Sequence, residues 1–199
     1  MKNKMKNKIA ICVTGGYYYN WKYGDKFYNW LYEFTEKDKR FVPYIISWQP
    51  PDFVPEKVKS QFGDQIKYRP NEGCDWGCYN YFVNYLKDNK LTKEYDYIIF
   101  VHDDIFAKKE DWPSVMINHI VKNPKFHLTS LRGRYIQYPP EEFIKRSESG
   151  VNYTKEWMSM CWCVRATDFF FENNPIVSIP GRVVDYAGGQ IHFNQLFEQ

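Results

Sequence analysis

Tyr95-Asp96-Tyr97-Ile98-Ile99-Phe100-Val101-His102-Asp103-Asp104 is the stretch on which the fold turns. From Tyr97 to Val101 every residue is apolar, and all are β-branched or aromatic, the side chains that suit a pleated strand. The run does not alternate with polar residues, so it reads as a strand buried on both faces, as in the middle of a parallel sheet. It then breaks into His102-Asp103-Asp104, with no basic residue before Lys108. Two adjacent carboxylates at the edge of a low-dielectric core repel each other, and a hard divalent cation is the usual remedy. The other reading is that Asp103 and Asp104 cap a turn or pair with a surface lysine. The position after a central strand favours the cation, because α/β sheets take their ligands at the carboxyl ends of their strands.

Working outward, Ile9-Ala10-Ile11-Cys12-Val13 is a second unbroken apolar run, and it empties into Thr14-Gly15-Gly16. Between Asp25 and Lys37, Phe27, Trp30, Leu31 and Phe34 fall at i, i+3, i+4 and i+7, one face of a helix. Residues 41–48 read as a strand stopped by Pro50-Pro51, residues 55–61 as a short helix, and residues 65–68 as a brief strand. The loop Arg69-Pro70-Asn71-Glu72-Gly73 follows, then Cys78, Phe82, Tyr85 and Leu86 at helical spacing. Beyond the acidic step, a helix over 111–122 has Asp111 as its expected cap and Asn123-Pro124 as its stop. Strands are expected within 126–131 and 158–165, with a polar, irregular stretch over 134–153 between them that suits a mobile flap. A final helix is expected over 185–197, weakened by Gly188-Gly189. Strands alternating with helices predict an α/β single domain, with a mixed, mostly parallel central sheet and helices on both faces.

The 199 residues suit one domain with a core of its own. Aromatic residues make up 20% of the chain, led by 17 tyrosines, enough to fill a core and leave rings for stacking on sugars or bases. Net charge is only +3. Much of it lies in Lys2, Lys4, Lys6 and Lys8, so residues 1–7 read as a solvated, disordered basic tail before a domain over 8–199. No basic helix follows, which argues against a nucleic-acid partner. No stretch reaches the apolar length of a membrane span, and Ile9–Val13 is too short for a signal-peptide core, so a cytoplasmic location is expected. The five cysteines are odd in number and sit in apolar surroundings, as reduced thiols do. Cys74-x3-Cys78 with Cys161-x-Cys163 lacks the spacing of a zinc knuckle.

The strand ending in Thr14-Gly15-Gly16, the Asn71-Glu72-Gly73 loop leading into a helix with Asn80, and the Tyr95–Asp104 strand together resemble the family 2 class of glycosyltransferases with the GT-A fold. The resemblance spans roughly residues 8 to 197 in order and spacing. It implies a nucleotide-binding half over 8–104 and an acceptor half over 105–199. In that class a strand ends in an Asp-x-Asp motif whose last Asp holds Mn²⁺ or Mg²⁺ beneath the donor diphosphate. Asp104 takes that role here, and His102 replaces the first Asp, which removes a negative charge. The implied donor site comprises Thr14, Gly15, Tyr17, Arg69, Gly73, Asp75, Gly77, His102 and Asp103, with a UDP-sugar favoured as donor.

Inversion at the anomeric carbon needs a base for the acceptor hydroxyl, and Asp185, at the start of the last expected helix, is the candidate; its other reading is a helix N-cap. His192, two turns further on, is either a second metal ligand or an ordinary core or surface histidine. Trp157 and Trp162 fall where comparable folds meet a glycan or glycoconjugate acceptor, and Trp162 either stacks on a sugar or packs. Its alternation with Cys161 and Cys163 puts it on the opposite face from those thiols. Two other functions remain in view: a carbohydrate- or nucleotide-binding module without catalysis, and a metal-dependent nucleotidyltransferase. The second lacks a Lys/Arg-dense Gly loop near the amino terminus.

Overall fold

The computed structural model describes residues 7–16, 24–72, 74–103, 109–125, 128–130, 134–137, 155–158 and 161–173. In chain order the elements are β1 (Ile9–Gly15), α1 (Gly24–Lys37), β2 (Phe41–Ser47), α2 (Glu56–Phe62), β3 (Ile66–Tyr68), α3 (Cys74–Asp88), β4 (Tyr97–His102), α4 (Trp112–Lys122), β5 (Leu128–Ser130), β6 (Arg134–Gln137), β7 (Lys155–Met158), β8 (Cys161–Arg165) and α5 (Asp168–Asn173). The main sheet has six strands in the order β3-β2-β1-β4-β8-β5. β1 pairs in parallel with β2 and β4, and β2 with β3. β8 runs antiparallel to both of its neighbours. The fold class expected from the sequence is the one observed.

Both apolar runs lie in the sheet centre. Ile9, Ala10, Ile11, Cys12 and Val13 of β1 have no exposed surface, and neither do Ile98 to Val101 of β4. Their alternate residues serve two separate cores. Ile9, Ile11, Val13, Ile99 and Val101 face α1, α2 and α4. Ala10, Cys12, Ile98 and Phe100 face α3 and α5. The chain builds β1, β2 and β3 in one direction across the sheet, then crosses back to lay β4 on the other flank of β1. That reversal is why α3 covers the face opposite α1 and α2.

Trp162 and its two flanking thiols follow the expected parity. Cys161 and Cys163 belong to the α1 side, and Trp162 belongs to the α3 side. Cys12, Cys78, Cys161 and Cys163 are buried and, among the described residues, form no disulfide. With Cys78 on the α3 face and Cys161 and Cys163 on the other, the sheet separates the residues of the four-thiolate reading.

Three local expectations change. Asp111 precedes α4 but makes no side-chain cap hydrogen bond, and a proline in the first turn starts that helix instead. Residues 134–137, expected to be irregular, pair with 155–158 as an antiparallel ribbon, Tyr135 opposite Trp157. Residues 168–173 form α5, which no periodicity announced; Thr167 caps it by accepting a 3.2 Å bond from the Phe170 N–H. The expected last helix over 185–197 lies outside the described residues. No described helix is long and apolar enough to cross a membrane.

Candidate functional site

The strand order reverses at β1, so the place to look for a ligand is outside the carboxyl ends of β1 and β4. There Thr14 stands beside His102 in register. Continuing the alternation of each strand, Thr14 and His102 both project to the α3 face. Asp75, in the first turn of α3, comes down onto them: its Oδ2 is 3.4 Å from His102 Nε2. Tyr79 lies one helical turn beyond Asp75, on the same helix face, and its ring centroid is 6.2 Å from that of His102.

Thr14, Asp75 and Tyr79 are almost wholly buried, while His102 keeps 17% of its side chain exposed and is the most accessible member of the group. The Thr14 hydroxyl and the Tyr79 hydroxyl have no hydrogen-bond partner among the described residues. Burial, and then the neighbouring Asp75 charge, push the Tyr79 phenol well above its ordinary pKa, so it stays a neutral O–H.

Asp103, one residue on, goes to the other face. Its carboxylate is 1% exposed and its Oδ2 accepts 2.9 Å from the Tyr28 hydroxyl of α1 and 3.4 Å from the Gly16 N–H. Asp103 thus lies beneath the Gly16 backbone at the end of β1 and holds it there. Gly16 has φ +119°, in the region that favours glycine, and an added Cβ would stand 3.0 Å from Gln49 and 3.1 Å from Trp48. The turn after β1 is therefore fixed from below by a carboxylate and from the side by the chain after β2.

Arg69 and Gly77 also serve the protein's own loop. The Arg69 N–H donates 2.9 Å to the Ser47 carbonyl, and its guanidinium reaches the Glu72 carbonyl and, at 3.5 Å, Cys78 Sγ. A Cβ on Gly77 would overlap the Glu72 carbonyl oxygen and lie 2.7 Å from Arg69 Nη2. The glycine at 77 thus lets loop 69–72 fold back onto α3, a closer explanation of it than passage of a nucleotide. Trp162 is a core ring, 1% exposed, stacked on Phe100 with centroids 4.0 Å apart and edge-on to Tyr79. It offers no face to a sugar.

Of the other expected site residues, Tyr17, Gly73, Asp104, Asp185 and His192 lie outside the described residues. Trp157 has its backbone in β7. No three His, Cys, Asp or Glu side chains converge among the described residues. His102 and Asp75 alone are two donors, a nitrogen and an oxygen, and need oxygens from elsewhere to complete a cation's shell. Tyr28 and Tyr79 were not singled out from the sequence, although Asp75 and Tyr79 at i and i+4 would have placed the second beside the first.

No protein-family profile matches the chain, and no curated protein matches it. Solved structures do. One is 4-diphosphocytidyl-2C-methyl-D-erythritol synthase, with a TM-score of 0.58 and 15% identity, covering 96% of this chain and 85% of that one. Another is CMP:2-keto-3-deoxy-manno-octonic acid synthetase complexed with CTP, with a TM-score of 0.50 and 12% identity, covering 84% of this chain and 77% of that one. A third, described as a nucleotide-diphospho-sugar transferase from Desulfovibrio desulfuricans G20, has a TM-score of 0.48 and 12% identity, covering 97% and 78%. At such identities the likeness is one of fold alone: this chain shares the fold of the first two of these structures.

Proposed function

We propose that this chain is a nucleotide-dependent transferase that binds a nucleoside-phosphate donor outside the carboxyl ends of β1 and β4. The observation that carries the reading is the polar group at the sheet's reversal point, where Thr14, His102, Asp75 and Tyr79 meet on one face while Asp103 holds the Gly16 turn from the other. The backbone of Thr14-Gly15-Gly16 lies against the donor. His102, the exposed member of the group, meets the donor's hydroxyls.

In its finer form the reading is a glycosyltransferase that passes a sugar from a nucleoside-diphosphate sugar, UDP favoured, to a hydroxyl of a glycan or glycoconjugate. Asp185 is then the base that takes the acceptor's proton, and Trp157 lies on the acceptor side. Asp104 is assigned to a Mg²⁺ or Mn²⁺ ion, with His192 as its second candidate ligand; such an ion supplies positive charge to the departing phosphates. Two solved structures of the same fold, one complexed with CTP, favour a second form, nucleotidyl transfer with release of pyrophosphate. Against it, residues 17–23 carry a single cation, Lys22, to meet a triphosphate.

Thermal shift with a panel of nucleoside triphosphates and nucleoside-diphosphate sugars, each with and without Mn²⁺, tests the common claim. Analysis of the by-product, nucleoside diphosphate or pyrophosphate, separates the two forms. Asp104→Ala is expected to lose Mn²⁺-dependent donor binding, and Asp185→Asn to bind donor but lose transfer. A protein stabilised by no nucleotide under any of these conditions ends the proposal.

A further inference from the structure

Asp75 and His102 face each other across the junction of α3 and β4, and their spacing is informative. A direct charge-assisted N–H to carboxylate bond is about 2.8 Å long. Nε2 and Oδ2 stand 3.4 Å apart. Two donors that each lie about 2.1 Å from one tetrahedral ion are separated by roughly 3.4 Å.

A second observation points into the same space. The Thr14 hydroxyl is completely buried without a hydrogen-bond partner among the described residues, and the strand register sets Thr14 next to His102 on the α3 face. A hydroxyl so placed is a ready acceptor or donor for a water on such an ion.

We propose that Asp75 and His102 are the two protein ligands of a transition-metal site between α3 and β4, selective for Mn²⁺, Co²⁺ or Zn²⁺ over Mg²⁺. The imidazole nitrogen sets the class: Mg²⁺ takes oxygen ligands in near-ideal octahedra, whereas a mixed nitrogen and oxygen pair suits first-row transition ions. The site is distinct from the assignment of Asp104, since it draws one ligand from α3 and uses the residue that stands where an aspartate was expected. Its place in a reaction rests on the nucleotide-transferase reading, with donor phosphates filling the open positions. The ion site itself rests on geometry.

The test is a titration of the whole chain with Co²⁺, without nucleotide, followed by visible absorption and calorimetry. The expected result is one Co²⁺ per chain with ligand-field bands of a nitrogen and oxygen site, displaced by Zn²⁺, and Mg²⁺ binding weaker by at least about tenfold. His102→Ala and Asp75→Asn should each weaken Co²⁺ by at least about tenfold, while Glu94→Gln, on the surface beside Lys8, should not. The selectivity of the unaltered chain needs no variant to fold, so it decides the matter even where a variant does not.

No bound Co²⁺, equal affinity for Mg²⁺, intense sulfur-to-cobalt charge-transfer bands, or unchanged affinity in both folded variants would each overturn the site. A UDP titration, first in EDTA and then in Co²⁺, separates this from the preceding proposal. Nucleotide binding without Co²⁺ uptake keeps the transferase and removes the ion site. Co²⁺ uptake with no nucleotide binding does the reverse.

Discussion

Gly77 shows how two opposing local effects are settled by magnitude. In an exposed helix, alanine in place of glycine is favoured by about 1 kcal/mol. At position 77 the new methyl would meet the Glu72 carbonyl, which is backbone, and the Arg69 guanidinium that this carbonyl binds. Forcing an atom into such a contact costs about 1–3 kcal/mol, so the clash wins. Gly77→Ala is expected to lower the urea midpoint, and an unchanged or raised midpoint would show that loop 69–72 can move aside at no cost. The same scale sets the limit on what could be read from residues alone. His102 and Asp103 announced themselves as a polar step after an apolar strand. Their division between the two faces followed from strand parity, but their partners, Asp75 and Tyr28, come from α3 and α1. No local pattern ties positions 75 sequence-distant neighbours apart, as Tyr28 and Asp103 are.

Elements were legible wherever a long apolar pattern specified them. β1, α1, β2, α3 and β4 lie within a few residues of expectation because each carries a continuous or periodic apolar run. The short ones were not. α5 has six residues, and its Phe169-Phe170-Phe171 run shows no period; the ribbon of β6 and β7 is made of four-residue strands in a polar region. Two helix starts give a paired expectation. Thr167 makes the cap bond of α5, whereas Asp111 makes none at α4. Thr167→Ala should therefore cost about 1 kcal/mol, and Asp111→Ala should stay within about 0.5 kcal/mol, both read from urea unfolding. A larger loss at Asp111 than at Thr167 would reverse the assignment of the caps.

At the scale of the whole molecule, the buried thiols make stability depend on alkaline pH. Burial, with the neighbouring Cys78 adding to it, raises Cys12 well above its ordinary value. Burial likewise raises Cys161, helped by Cys163, and raises Cys163 against the opposing pull of Arg165. A thiol whose folded pKa is raised contributes its full stabilisation below the unfolded value of about 8.5, and loses it as the pH climbs towards the folded value, because only the unfolded chain ionises there. The unfolding free energy from urea titrations is expected to fall steadily from pH 8.5 to 10.5, by up to about 1.4 kcal/mol per pH unit for each thiol. A flat profile over that interval would show that these thiols are hydrated. The separation of His102 from Asp103 by the sheet also bears on how such a chain can diversify. The anchor of the Gly16 turn and the side chain proposed to meet a ligand sit on adjacent codons yet on opposite sides of a wall, so natural selection is free to exchange the imidazole for another chemistry while the fastening behind it stays untouched.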